Sequence, residues 1–160
     1  MSINYEIDNV DIGIMNALLK DANTPYTEIA EKLFISPGTV HVRMKKLERY
    51  GIVKAPQIQL NTKKLGLDVI AFIGVYLNRS DQYDAVLKEI KKIDEVVSCH
   101  YTTGNYSLFL KIVCSDTEHL RKVLHDKMQK ITGINRTETL ISLEESFERA
   151  VVLQPVNSTR

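Results

Sequence analysis

The sequence predicts an α+β protein: a three-helix head followed by a βαββαβ layer. Three observations predict it. A helical apolar period is confined to the first fifty residues, strand-like runs begin at residue 69, and positive charge is concentrated in one short segment. With 21 Lys+Arg against 20 Asp+Glu, 44% hydrophobic and 26% charged residues in 160, the chain is ordinary globular material with room for one or two small domains. That composition excludes disorder as the dominant state. No apolar run approaches the roughly 20 residues of a membrane-spanning helix. The opening residues lack the basic and apolar regions of a signal peptide, so a cytoplasmic location without a membrane partner is expected. Cys99 and Cys114 have neither CxxC nor histidine spacing and read as small buried residues, so no metal is expected.

Each element of the head has its own start and stop. Asp8 can cap a helix whose apolar positions Val10, Ile14, Ala17 and Leu18 share one face, running to about Asp21. Asn23, Thr24 and Pro25 break it. A short second helix carries Ile29, Ala30 and Leu33 and ends near Phe34. Ser36 is an N-cap with proline following at the first helical position, so a third helix should run from Pro37 to about Tyr50, with Gly51 to terminate it. Charge separates along these helices: residues 1–35 carry two basic against six acidic side chains, whereas residues 36–54 carry five basic against Glu48 alone.

Residues 54–68, with Pro56 and Gly66, read as a linker holding a brief strand at 57–60. The later elements are a strand at Val69–Leu77, a helix at 82–92, strands at 96–102 and Leu108–Cys114, a helix at 117–130 and a strand at 137–143. That order is the ferredoxin-like split βαβ pattern, an antiparallel sheet with both helices on one face. Its other face should be wet, yet Val69–Leu77 has no polar residue except Tyr76, and Leu108–Cys114 only Lys111. The same face of a second copy is the natural cover, giving a two-fold homodimer. The domains expected are 1–53, a linker at 54–68, 69–153, and a loose tail at 154–160.

A helix, short helix, tight connection and basic helix form the helix-turn-helix arrangement that reads the DNA major groove. If Val40, Met44 and Leu47 pack inward, then Thr39, His41, Val42, Arg43 and Lys46 are free to reach base edges and phosphates. Ser36 and the amides at the helix start suit a phosphate. A three-helix bundle with a solvated basic face is the alternative that pattern alone leaves open.

These residues also carry a resemblance. The segments Tyr26 to Ala30, Ser36-Pro37-Gly38-Thr39-Val40-His41-Val42-Arg43, Leu47 to Val53, Phe72 to Val75 and Tyr101 to Ser107 resemble the Lrp/AsnC family of bacterial and archaeal transcription regulators, over residues 5 to about 150. Within the family the chain is most similar to the asparagine-responsive branch. The resemblance implies a DNA-reading domain of winged-helix type, with Tyr26, Ser36, Pro37, Gly38, Thr39, His41, Val42, Arg43 and Lys46 at the DNA. It also implies a dimerising C-terminal domain that binds an amino-acid effector, here asparagine or a similar polar one, and dimers that assemble into octamers. By resemblance the effector pocket is lined by Tyr101, Thr103, Gly104, Asn105, Tyr106 and Ser107, and by Arg136, Thr137, Glu138, Thr139 and Leu140. Chemistry is compatible, since a glycine turn exposes N–H groups to a carboxylate and Glu138 can receive an ammonium.

The chain departs from the family at two positions. Many members have aspartate where Ser107 stands, so the polar pair Asn105 and Ser107 suits a polar effector side chain. The turn often has glycine where Phe34 stands, at a position favouring positive φ.

Other constellations are weaker. His119 and His125 lie six apart and cannot share a helix face as a metal pair does, and Cys99 and His100 point to opposite sides of a strand. No glycine-rich phosphate loop is present. The reading is therefore a regulator of a palindromic operator and not an enzyme. The alternatives are an architectural DNA-binding protein and an enzyme similar to sirohaem decarboxylases of related fold.

Overall fold

Asp8 opens the head: its side chain accepts from the Asp11 amide, while the Asp11 carboxylate accepts from the Asp8 amide, so two orphan helix N–H groups are satisfied reciprocally. The computed structural model describes residues 5–156. Helix α1 runs Asn9–Lys20, α2 Tyr26–Leu33 and α3 Pro37–Arg49. The Ser36 hydroxyl accepts the Thr39 N–H at 3.1 Å to cap α3, and Gly51 takes φ +69° just past its end. Ile14, Ile29, Val40 and Leu47 are fully buried where these helices meet. Each such side chain contributes roughly 1.5–3 kcal/mol through burial. Phe34 closes α2 in the left-handed region at φ +55° and is 95% exposed. A non-glycine residue there costs on the order of 1 kcal/mol, and no packing offsets it.

Two segments differ from the sequence reading. Residues 57–60 form no strand, because a strand needs a ladder partner and this exposed segment finds none among the described residues. Leu153 and, within the expected tail, Val156 are bonded to the head. The Asn16 carboxamide donates to the Leu153 carbonyl at 2.9 Å and accepts the Leu153 N–H at 3.1 Å, as a neighbouring strand would, and Asn9 Oδ1 accepts the Val156 N–H at 2.7 Å. Residues 5–59 and 147–156 accordingly form one compact unit, and Leu60–Ser146 the other. Residues 157–160 of the expected tail lie outside the described residues.

The second unit has strands β1 (Val69–Leu77), β2 (Val96–Tyr101), β3 (Leu108–Cys114) and β4 (Ile134–Ile141), with helices α4 (Tyr83–Ile90) and α5 (Thr117–Lys122). Their sheet order is β2-β3-β1-β4, every neighbour antiparallel. The helix expected over 117–130 is not regular: it widens into a π turn at Val123–Lys127 and tightens at Met128–Lys130. Widening brings residues five apart onto one face, which lets both Val123 and Met128 be buried. Strand β4 also begins three residues earlier than expected and ends two earlier, leaving Leu143 exposed.

Alternation along the strands divides the sheet. Ala71, Ile73 and Val75 of β1 and Leu108, Leu110, Ile112 and Cys114 of β3 are buried with Val86, Ile90 and Leu120 from the helices. Ile70, Phe72 and Tyr76 of β1 and Phe109, Lys111 and Val113 of β3 point the other way and are only half-buried. Strand β4 adds Arg136, Glu138 and Leu140 to this open face, in register with Tyr76, Gly74 and Phe72.

Candidate DNA interface and ligand-facing sheet

Helix α3 buries Val40, Met44 and Leu47 and turns Pro37, Gly38, His41, Val42 and Lys46 outward. Val42 is 54% exposed, an apolar contact free for a thymine methyl or a sugar. Tyr26 of α2 lies beside His41, their rings 6.2 Å apart. Thr39 and Ser36 share a hydroxyl hydrogen bond of 2.9 Å, so the Ser36 side chain is occupied as a cap; Pro37 has no N–H and the Thr39 and Val40 N–H groups bond to Ser36, which leaves the Gly38 N–H to face a phosphate. A shallow concavity of about 660 Å³ lies along this face, bounded by Thr39, Val42, Lys46 and the residues before α1.

Arg43, expected at the DNA, is engaged within the head: its Nη1 donates to Asp8 Oδ2 at 2.7 Å and Asp11 Oδ1 at 2.9 Å. Asp11 is fully buried, and Oδ2 of the same carboxylate accepts the Tyr5 hydroxyl at 2.9 Å. Hydrogen bonds to Asp11 and Asp8 raise the Arg43 pKa above its ordinary value. Burial works against a charged Asp8, but bonds from the Asp11 N–H and Arg43 outweigh it and hold that carboxyl low. Burial and the bond to Asp11 push the Tyr5 hydroxyl up. Sequence reasoning missed Tyr5, Asp8 and Asp11 as members of this face; the only signal was an acidic pair three apart preceding a basic helix.

On the second unit, the turn from β2 to β3 carries Thr103, Gly104, Asn105, Tyr106 and Ser107. Gly104 takes φ +125°, and the turn is closed by the Thr102 hydroxyl donating to the Tyr106 carbonyl at 2.7 Å and the Ser107 N–H to Val75 at 2.9 Å. Tyr106 folds over Gly74, where any Cβ would collide with its ring. Its edge meets the Tyr76 ring at 5.2 Å, the Tyr76 hydroxyl donates to Glu138 at 3.3 Å, and the Arg136 guanidinium caps Tyr76 at 4.0 Å. Burial, then the nearby Glu138 charge, raises the Tyr106 pKa.

Of the expected effector residues, Tyr106, Arg136 and Glu138 therefore converge, with Leu140 on the same face. Tyr101, Thr137 and Thr139 do not join them, because strand alternation turns them toward the helical layer: Tyr101 pairs with the core residue Leu108 and rests 4.6 Å from the Tyr83 ring, and Thr137 and Thr139 pair with Val75 and Ile73. Tyr76 was missed as a site residue, although its lone polarity in β1 was the signal. Among the described residues no cluster of His, Cys, Asp or Glu is arranged to hold a metal, and no helix is long and apolar enough to cross a membrane.

Residues 7–54 match the winged helix-turn-helix DNA-binding domain, and residues 70–152 match the Lrp/AsnC ligand binding domain. The chain belongs to the Lrp/AsnC family. It is 44% identical over 147 residues to Regulatory protein AsnC of Haemophilus influenzae, covering 92% of this chain and 98% of that one. Regulatory protein AsnC of Escherichia coli is 43% identical over 148 residues, covering 92% and 97%. The solved E. coli AsnC structure superposes with a TM-score of 0.88 at 41% identity, covering 93% of this chain and all of that one. A Neisseria meningitidis transcriptional regulator solved as an L-Met complex superposes at 0.85 with 25% identity, covering 93% and 97%. This Lrp/AsnC chain is a DNA-binding transcription regulator with a ligand-binding domain, and its relatives are named as regulators, not as enzymes.

Proposed function

We propose that this regulator reads a palindromic operator through α3 of paired heads and that a polar amino acid, asparagine, binds the second unit to alter that reading. The observation carrying the ligand half is the convergence of Glu138, Tyr76, Tyr106 and Arg136 beside a glycine turn. A carboxylate and a guanidinium on one face suit a zwitterion, and the exposed Thr103, Gly104 and Asn105 offer further polar contacts. A neighbour solved with L-Met supports an amino acid as the class.

Assembly belongs to the same proposal. Phe72 and Phe109 stack at 5.8 Å on the open sheet face, with Ile70, Val113 and Leu140 beside them, an apolar surface that a second copy would cover. Four such dimers would form an octamer. The DNA side rests on Tyr26, Pro37, Gly38, Thr39, His41, Val42 and Lys46. Two-fold heads require half-sites separated by about 10 base pairs or a multiple. Effector binding acts by linkage: a ligand that fits one assembly better shifts the spacing of the heads.

Calorimetric titration with each of the twenty amino acids tests the ligand. Asparagine should give saturable heat that Gly104→Asp abolishes, since the new carboxylate occupies the turn and repels the ligand carboxylate. Heat from none of the twenty, or an unaltered titration in the variant, removes this site. Footprinting on a duplex selected from a random pool tests the operator; protection without a repeated half-site would favour the architectural reading.

A further inference from the structure

Arg43 sits in the middle of the DNA-reading helix, but its Nη1 faces inward. Both oxygens of the Asp11 carboxylate are engaged: Oδ1 by Arg43, and Oδ2 by the Tyr5 hydroxyl and the Asp8 N–H. Asp11 is fully buried, whereas the Asp8 side chain is 51% exposed and the Arg43 side chain 26%. Releasing the guanidinium to DNA would strand a buried carboxylate without its countercharge, which is strongly unfavourable. The same network has a second attachment, because the Tyr5 ring stacks on Tyr50 at 5.0 Å, and Tyr50 is the residue that ends α3. Helix α3 is thus tied to the start of α1 at its middle and at its end.

We propose that Arg43 is a positioning residue: clamped between Asp8 and Asp11, it fixes the rotation of α3 against α1 and so sets how sharply the head distinguishes DNA sequences, without itself touching DNA. The guanidinium suits this role because its Nη1 donates to both carboxylates at once and its charge is permanent. Asp8 is the accessible end of the clamp, and with Arg43 it borders the concavity that Thr39, Val42 and Lys46 share.

The test uses the full chain and two duplexes of equal length: one selected by the parent protein from a random pool, and one unrelated. Asp8→Asn keeps the helix cap while removing the charge; Arg43→Gln removes the positive charge that Nη1 brings to both carboxylates. Each variant should lower the ratio of selected to unrelated affinity about ten-fold, an effect on the scale of one lost specific contact. The double variant should lose no more than the worse single one, because both break the same link. In Arg43→Gln the slope of log affinity against log salt should stay parallel to the parent's. A slope flatter by about 0.9 would make Arg43 a phosphate contact and overturn the proposal. A ratio that falls in Arg43→Gln but holds or rises in Asp8→Asn would make it a base contact held in check by Asp8, and would overturn it equally. If Arg43→Gln fails to fold, Asp8→Asn decides alone: a lowered ratio supports the clamp, and an unchanged or raised one refutes it.

Discussion

Gly74 and Glu95 show how single residues set the second unit. Gly74 lies under the Tyr106 ring, so Gly74→Ala forces that ring away and breaks its approach to Tyr76. Overpacking of this kind costs about 1–3 kcal/mol; a lower melting temperature and weaker asparagine heat are both expected. Burial alone would raise the Glu95 carboxyl, but two 2.7 Å bonds from Lys127 and one of 3.0 Å from His119 pull it down to about 2. Its folded pKa lies below the ordinary 4.5, so its stabilisation is complete above that value and is lost as the pH falls through about 2. Acid unfolding followed by circular dichroism should show Glu95→Gln less stable at neutral pH and less pH-sensitive in that window. The positive φ of Phe34 was legible through the family resemblance, in which glycine often stands at that position. Arg43 was not, because its partners stand 35 and 32 residues away and no local pattern announces them.

Helices and strands were legible where a period or a cap was strong. Val69–Leu77 and Leu108–Cys114 agree with their expected limits residue for residue, since apolar runs interrupted only by Tyr76 and Lys111 and bounded by polar turns leave little freedom. The π-widened end of α5 was not, because Val123 and Met128 do not repeat at a helical period and only the core they fill shows why. The same alternation that made strands recognisable also split the effector residues, turning Thr137 and Thr139 away from Glu138. On α3, Lys46 is exposed on the outward face, in contrast to the clamped Arg43. Lys46→Ala should therefore weaken selected and unrelated duplexes alike and flatten the salt slope by about 0.9, read by filter binding over a salt series.

For the whole molecule, the open sheet face is the surface on which the proposed assembly rests. Phe109 lies between Phe72 and Tyr106 on that face and contributes nothing to the buried core on the other side. Phe109→Asp should hence leave the protomer folded and shift the protein to monomer in sedimentation, because a buried carboxylate opposite its own copy is unpaired. The apolar strand pattern made this face visible in the sequence; the return of the chain end to the head was invisible, since a side-chain amide imitating a strand leaves no periodicity.

That return means the head is joined to the rest of the chain by two peptide connections, one on either side of Leu60–Ser146. A protease cutting once in the exposed stretch near Ile58 would nick the protein without freeing residues 5–59, which stay held through Asn9 and Asn16. A head fragment cloned to end at residue 59 would lack the segment that covers α1 in the native fold.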